Sequence, residues 1–352
     1  MLTLSLVVLF IACLALALDF VFPTSAELTE IAQEKMPRLE QDRPIFRLLP
    51  TQEADAPLLM WEQRDNYRGL QQLRGLDGAP HHVQRVGLSR YQMQPGYYGE
   101  FINLDETELT LRRQTGTFGT PVDITTLVLE AQDQLLQRRL DRIELIGWTV
   151  LQGTFSVAGL NGIVHTDAYS VQTYNATTWA TAATATPLAD FRAVQLLSRG
   201  RSVNFGRGAT AFMNRGTANA LLGNTNDADL YGKRTSGLAN LLSMAELNQL
   251  EAKEDLPALE VYDEGYLDDA GVFQLFIPNG TVIVTGQRPA GQVMGEYRFT
   301  RNVNNPDMRP GPYMKVIDRG ETQVPRRVEI HDGHNGGPVL FFPGAIVVMD
   351  VS

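Results

Sequence analysis

Residues 123–152, DITTLVLEAQDQLLQRRLDRIELIGWTVLQ, constrain this chain more than any other stretch. Apolar side chains recur there at three- and four-residue spacing with no proline to interrupt them, which predicts one continuous helix. Ile124, Val128, Ala131 and Leu135 form one stripe, and Leu136, Leu140, Ile143, Gly147 and Val150 form the next. At ~100° per residue the second stripe is rotated by about a quarter of a turn from the first. Arg138, Arg139 and Arg142 point away from it. A helix of this length is about 45 Å long. It reads as a strut that meets different partners along its length, although a long core helix with a solvated arginine face fits the same pattern.

The segments around the strut differ in kind. Residues 19–50 are punctuated by Pro23, Pro37, Pro44 and Pro50. Thr24-Ser25-Ala26-Glu27 predicts a capped helix over Ala26–Met36, and the remainder reads as extended arm. Residues 57–100 read as a long hairpin: PLLMWEQRDN, a glycine-rich RGLQQLRGLDGAP, and a returning HHVQRVGLSRYQMQPGYYGEF. With so little apolar content it is not stable alone in water. No segment of the chain offers it an obvious bed, so a neighbouring subunit is the natural support. TFSVAGLNGIVHTDAYSVQTYNATTWA predicts a second hairpin turning at Gly159–Gly162.

Residues 187–310 alternate helical and strand patterns. LADFRAVQLLSRG and SMAELNQLEAKEDL read as helices, the latter with a capping box from Ser243 to Glu246. ATAFMN, ALEVYDEG, VFQLFIPNG and TVIVTG read as strands, with DDAG and PNGT as hairpin turns. The tail, PRRVEIHDGHNGGPVLFFPGAIVVMDVS, reads as two strands around a glycine-rich turn. No period of the solenoid or propeller kind repeats.

The first twenty residues, MLTLSLVVLFIACLALALDF, carry no charge before Asp19. As an export signal they have the apolar middle and a small-residue site at Ala15-Leu16-Ala17, but no basic start. Phe10-Ile11-Ala12-Cys13 resembles a lipoprotein cleavage box with Phe in place of the usual aliphatic residue. As a membrane span, residues 1–18 are at the lower limit of length and lack basic flanks. The third reading is a part of the folded protein itself.

Composition narrows the function classes. The chain has 352 residues, 43% of them hydrophobic, enough for a large core. Its formal net charge of −10 argues against a surface built throughout to grip nucleic acid. Only Lys35, Lys233, Lys253 and Lys315 among the 30 basic residues are lysine. A single cysteine rules out intrachain disulfides and paired-cysteine zinc sites.

No catalytic constellation stands out. His331 and His334 in HDGH are the best metal candidates, but a polar turn is the simpler reading. Asp268-Asp269 lacks the remaining ligands of a calcium loop. Gly232-Lys233 lacks the glycine and hydroxyl of a phosphate loop. No Gly-x-Ser-x-Gly elbow occurs. The chain reads as a structural or binding protein and not an enzyme, with no cofactor and no metal.

The order of parts is arm, long hairpin, very long helix, second hairpin, α/β region and returning strands. Three stretches carry a resemblance: GEFINLDETELTLRRQTGTFGTPVDITTLVLEAQDQLLQRRLDRIELIGWTVLQGTFSV, LPALEVYDEGYLDDAGVFQLFIPNGTVIVTG, and RVEIHDGHNGGPVLFFPGAIVVMDV. In these the chain resembles the major capsid proteins of tailed phages, in particular the lambda-type capsid protein E family. The resemblance implies an α+β capsid fold: an N-terminal arm (1–56), an E-loop (57–100), a P-domain with the spine helix (101–186 and 311–352) and an A-domain (187–310). It implies hexamers and pentamers in an icosahedral virion shell around double-stranded DNA, assembled in the host cytoplasm, with a portal and possible scaffold or decoration proteins as partners and no membrane. Arg138, Arg139 and Arg142 are then expected on the inner face, loosely touching DNA. Leu6, Phe10, Leu14, Trp61, Tyr67 and Tyr91 are expected at contacts between subunits. An encapsulin-like compartment and a membrane- or lipid-anchored envelope protein are the competing readings, separated by what the shells enclose and by whether the chain partitions with membranes.

Overall fold

A computed structural model describes residues 23–64, 70–82, 88–113, 119, 123–159, 162–201, 203–223, 244–287, 293–319 and 325–352. In chain order the elements begin with helices α1 (Ser25–Gln41) and α2 (Ile45–Leu48), then strands β1 (Thr51–Glu53), β2 (Leu59–Arg64), β3 (Leu88–Met93) and β4 (Gly96–Asp105). Helices α3 (Glu106–Leu111) and α4 (Ile124–Leu151) follow, then β5 (Thr154–Ala158), β6 (Val164–Ala168) and β7 (Gln172–Asn175). Next come α5 (Pro187–Leu196), β8 (Thr210–Met213), α6 (Arg215–Leu222), α7 (Met244–Lys253) and β9 (Ala258–Val261). The chain closes with β10 (Gly265–Leu267), β11 (Phe273–Leu275), β12 (Thr281–Thr285), β13 (Gly295–Phe299), β14 (Tyr313–Asp318), β15 (Arg327–Leu340) and β16 (Ile346–Asp350).

These elements gather into two compact units. Among the described residues, one comprises those within 23–40, 97–140 and 301–335, and the other comprises those within 41–96, 141–300 and 336–352. Helix α4 contributes residues to both, as does strand β15. The drift of the apolar stripe along α4 has its explanation here, because the two halves of the helix belong to different cores.

In the first unit, α1 is started by a reciprocal capping box. The Thr24 N–H donates to Glu27 Oε2 at 2.7 Å, and the Glu27 N–H donates to Thr24 Oγ1 at 3.3 Å. Leu28, Ala32 and Met36 recur every four residues and are buried. Gln132 of α4 donates from Nε2 to the Leu28 carbonyl at 2.7 Å. The helix runs through Pro37 to Gln41, further than the proline spacing predicted. Strands β14 and β15 pair antiparallel from Tyr313↔Gly333 to Asp318↔Val328, and β4 also pairs with β15.

The second unit is built on a five-stranded sheet of order β7-β16-β12-β8-β9. Its central strand β12 is apolar on both faces, and Val282, Ile283 and Val284 are fully buried. Strands β7 and β16, expected with the P-domain, pair into this sheet beside strands of 187–310. The end of α4 packs here too: the Trp148 ring lies 5.3 Å from Phe212 and 5.6 Å from Tyr262.

Three predictions from the sequence are corrected. The glycine-rich tail is not a turn, because β15 runs unbroken from Arg327 to Leu340. Its glycines sit where another chain segment presses close: a Cβ on Gly336 would lie 2.5 Å from the Arg298 carbonyl oxygen. PNGT is a turn but does not join a hairpin, since β12 pairs with β8 and β16. The hairpin of β2 and β3 has a bed in its own unit: Gln63 Nε2 donates to the Leu340 carbonyl at 3.1 Å, and Leu59 and Met93 close on Gly337. The capping box predicted at Ser243 lies outside the described residues.

Candidate functional site

The arginine cluster of α4 divides three ways. Arg138 is exposed and grips Glu100 as a fork, with Nε and Nη2 at 2.5 and 3.0 Å from the two carboxylate oxygens. Arg139, by contrast, is buried, as is its ion-pair partner Asp332. Burial pushes the Asp332 carboxyl up to about 6, against the attraction of Arg139. The same burial pulls the Arg139 guanidinium down, so desolvation outweighs attraction for both partners. Arg139 therefore presents nothing to solvent, which corrects its expected place on an inner DNA-facing surface. The reason is helical spacing: Arg139 lies four residues after Leu135 and four before Ile143, so it falls between the two stripes and is enclosed, here by Met36 Sδ at 3.7 Å from Arg139 Nη2 and by Asp332. Arg142 is half-buried and makes no ion pair among the described residues.

The hairpin of β2 and β3 divides between base and tip. Trp61 and Tyr91 are cross-strand partners, and their rings stack at 5.8 Å. Trp61 also stacks on Tyr169 at 6.2 Å and is 5% exposed. It is a core residue of its own subunit, which corrects its expected role between subunits. Tyr91 remains 42% exposed. Tyr67, Leu6, Phe10 and Leu14 lie outside the described residues. The tip, residues 70–82, is exposed throughout. Leu70, Leu73 and Leu76 there are 98%, 101% and 99% exposed. Arg74 orders the turn, donating from Nη1 to the Gly78 carbonyl at 3.0 Å. The leucines recur every third residue, a spacing that is readable in the sequence and marks the tip more directly than the aromatics do.

The histidines of HDGH do not converge. Three apart on a strand, they fall on opposite faces. His331 stacks on Phe101 at 5.1 Å and approaches Glu329 at 3.0 Å, while His334 is buried against Tyr98 at 5.0 Å. Among the described residues no group of three or more His, Cys, Asp or Glu side chains is arranged to hold a metal ion. Asp268 organises the turn after β10, accepting the N–H groups of Ala270 and Val272. No helix among the described residues is long and apolar enough to cross a membrane.

A family model described as phage major capsid protein E matches residues 26–298. That span includes the first two stretches that carry the resemblance and stops short of the tail. No curated protein sequence matches the chain. Among solved structures, a putative capsid protein of a prophage from E. coli CFT073 is similar in fold, with a TM-score of 0.53 at 16% identity, over 75% of this chain and 80% of that one. A phage-related protein from Bordetella bronchiseptica RB50 gives a TM-score of 0.50 at 10% identity, over 87% of this chain and 91% of that one.

Proposed function

The chain belongs to the phage major capsid protein E family, whose function is to form capsids, and from that premise we propose that it assembles as hexamers and pentamers into an icosahedral head around double-stranded DNA. The observation that carries this reading is the bare tip of the β2–β3 hairpin. Its base is anchored in its own unit, yet three leucines at its end are almost wholly exposed. Burying each in a neighbour contributes about 1.5–3 kcal/mol. The tip is the E-loop laid over an adjacent subunit, and residues 1–56, 101–186 with 311–352, and 187–310 supply the arm, P-domain and A-domain. Strands β7 and β16 extend the A-domain sheet. The protein acts as a structural subunit and not as an enzyme. It assembles in the host cytoplasm, with a portal and any scaffold or decoration proteins as its partners. Loose phosphate contacts fall to Arg142 and to the exposed fork of Arg138.

Expression of the chain alone, followed by electron microscopy of the soluble fraction, tests the reading. Closed, uniform shells are expected. A chain that stays monomeric at high concentration, or that sediments with membranes, refutes it.

A further inference from the structure

Two oppositely charged regions lie at opposite ends of the second unit's sheet. The loop RGRSVNFGRGA, residues 199–209, leads into β8. Its Arg199, Arg201 and Arg207 are exposed and make no ion pair among the described residues. The loop itself is fixed. Phe205 is fully buried, and Asn204 exchanges backbone hydrogen bonds with Gln287 at 3.2 and 2.7 Å. Of the nearby carboxylates, Glu254 is occupied by Arg192 at 2.7 Å, which leaves Asp255 in the adjoining turn.

The opposite end is acidic. After β9 the chain runs YDEGYLDDAG, with Asp263, Glu264 and Asp269 exposed. Asp268 is held below the usual carboxylate range by the Val272 N–H and by Gln274. The cation bordering this end is Arg215, whose backbone N–H donates to Asp263 Oδ1 at 3.0 Å. Leu267, Val272 and Phe273 stand exposed on the same hairpin.

Strands β8 and β9 are parallel neighbours, paired from Thr210↔Ala258 to Met213↔Val261. The basic loop enters where this pair begins and the acidic hairpin leaves where it ends. Four residues of strand span ~13 Å at ~3.3 Å each, and no ion pair joins the two ends among the described residues.

We propose that the basic loop of one copy docks on the acidic, apolar-tipped hairpin of the next. A contact between two different surfaces repeats head to tail, and closes a ring when the rotation allows. The inference rests on the capsid reading and names a contact within its rings. Charge complementarity selects the partner and its register, while Leu267, Val272 and Phe273 supply apolar area.

The test compares four chains: the natural one, Arg201→Glu with Arg207→Glu, Glu264→Arg with Asp269→Arg, and all four changes together. Each reversed pair is expected to raise the protein concentration needed for shell formation by about tenfold or more, and the combined chain to recover most of that loss. Circular dichroism and urea midpoints confirm that each variant is folded. Unchanged assembly of either reversed pair overturns the proposal. So does a folded combined chain that fails to recover, or a basic-loop variant that assembles normally and only releases DNA. If the natural chain forms no shells, the capsid reading falls and takes this contact with it, a result distinct from the others. As a second measure, Arg201→Gln with Arg207→Gln should flatten the dependence of assembly on salt, and a slope equal to that of the natural chain counts against the contact.

Discussion

Glu144 is a carboxylate with no solvent exposure, and it is fully engaged. Arg43 Nη1 donates to it at 2.7 Å, Trp148 Nε1 at 3.1 Å and the Tyr262 hydroxyl at 2.6 Å. Arg43 also pairs with Asp141 at 2.8 Å. Desolvation still raises the Glu144 carboxyl above its ordinary range, with these three donors opposing it. Removing the carboxylate leaves two buried donors without their acceptor and leaves Arg43 with Asp141 alone. Glu144→Ala is therefore expected to cost about 3–5 kcal/mol in urea unfolding of dissociated subunits, with Glu144→Gln milder, and a loss under about 1 kcal/mol contradicts the network. Asp332 makes a prediction of opposite sign to most paired carboxylates. Its folded value, about 6, lies above the ordinary 3.8. Its stabilising contribution is thus complete below the ordinary value and is lost as pH rises through about 6. Asn stands in for the protonated acid at every pH, so in Asp332→Asn that component of the pH dependence should vanish, and unfolding midpoints of the two chains should converge toward acid and diverge as pH rises through about 6. Parallel curves refute the assignment. Neither residue was legible in the sequence. Their partners lie 101 and 193 residues away, and nothing local marks a carboxylate that will be buried.

At the scale of elements, helical periodicity was the most readable signal. The strut at Ile124–Leu151 and its rotating stripe follow from spacing alone, because helix neighbours are local. The hairpin of β5 and β6 and the helix Pro187–Leu196 were readable for the same reason. Strand β15 was not. Glycine usually punctuates a strand pattern, so HDGHNGG read as a turn. In a central strand glycine also admits a close neighbour, but that neighbour is distant in sequence and cannot be read beforehand. The outcome is testable at Gly336. An added methyl would meet the Arg298 carbonyl oxygen at 2.5 Å, and that atom is backbone held in the β13 ladder. Gly336→Ala should destabilise the subunit by about 1–3 kcal/mol through overpacking, seen as a lowered urea midpoint. An unchanged midpoint means that the two strands part without cost. The hairpin of β2 and β3 shows the complementary error. Its polar composition suggested no bed at all, although Trp61 and Leu59 are buried within the unit.

For the whole molecule, the same hairpin separates folding from assembly. A side chain that is fully exposed contributes little to its own subunit's stability, and Leu70, Leu73 and Leu76 are in that position. Replacing all three with serine should leave the urea midpoint of the dissociated subunit within about 0.5 kcal/mol of the natural chain. Assembly should respond differently. At ~1.5 kcal/mol per leucine, the low end for burial, the three together amount to about 4–5 kcal/mol. That corresponds to a rise of about a thousandfold or more in the concentration at which shells form. Temperature supplies the control. Apolar burial weakens on cooling, so shells of the natural chain should loosen in the cold to a degree that the serine variant does not share. A charged contact responds instead to salt, which keeps the hairpin tip and the proposed contact of the loop before β8 experimentally distinct. A serine variant that assembles as readily as the natural chain would show that the tip stays in solvent. The neighbour's support for the hairpin would then have to come from the half-exposed Tyr91 and the rest of its length.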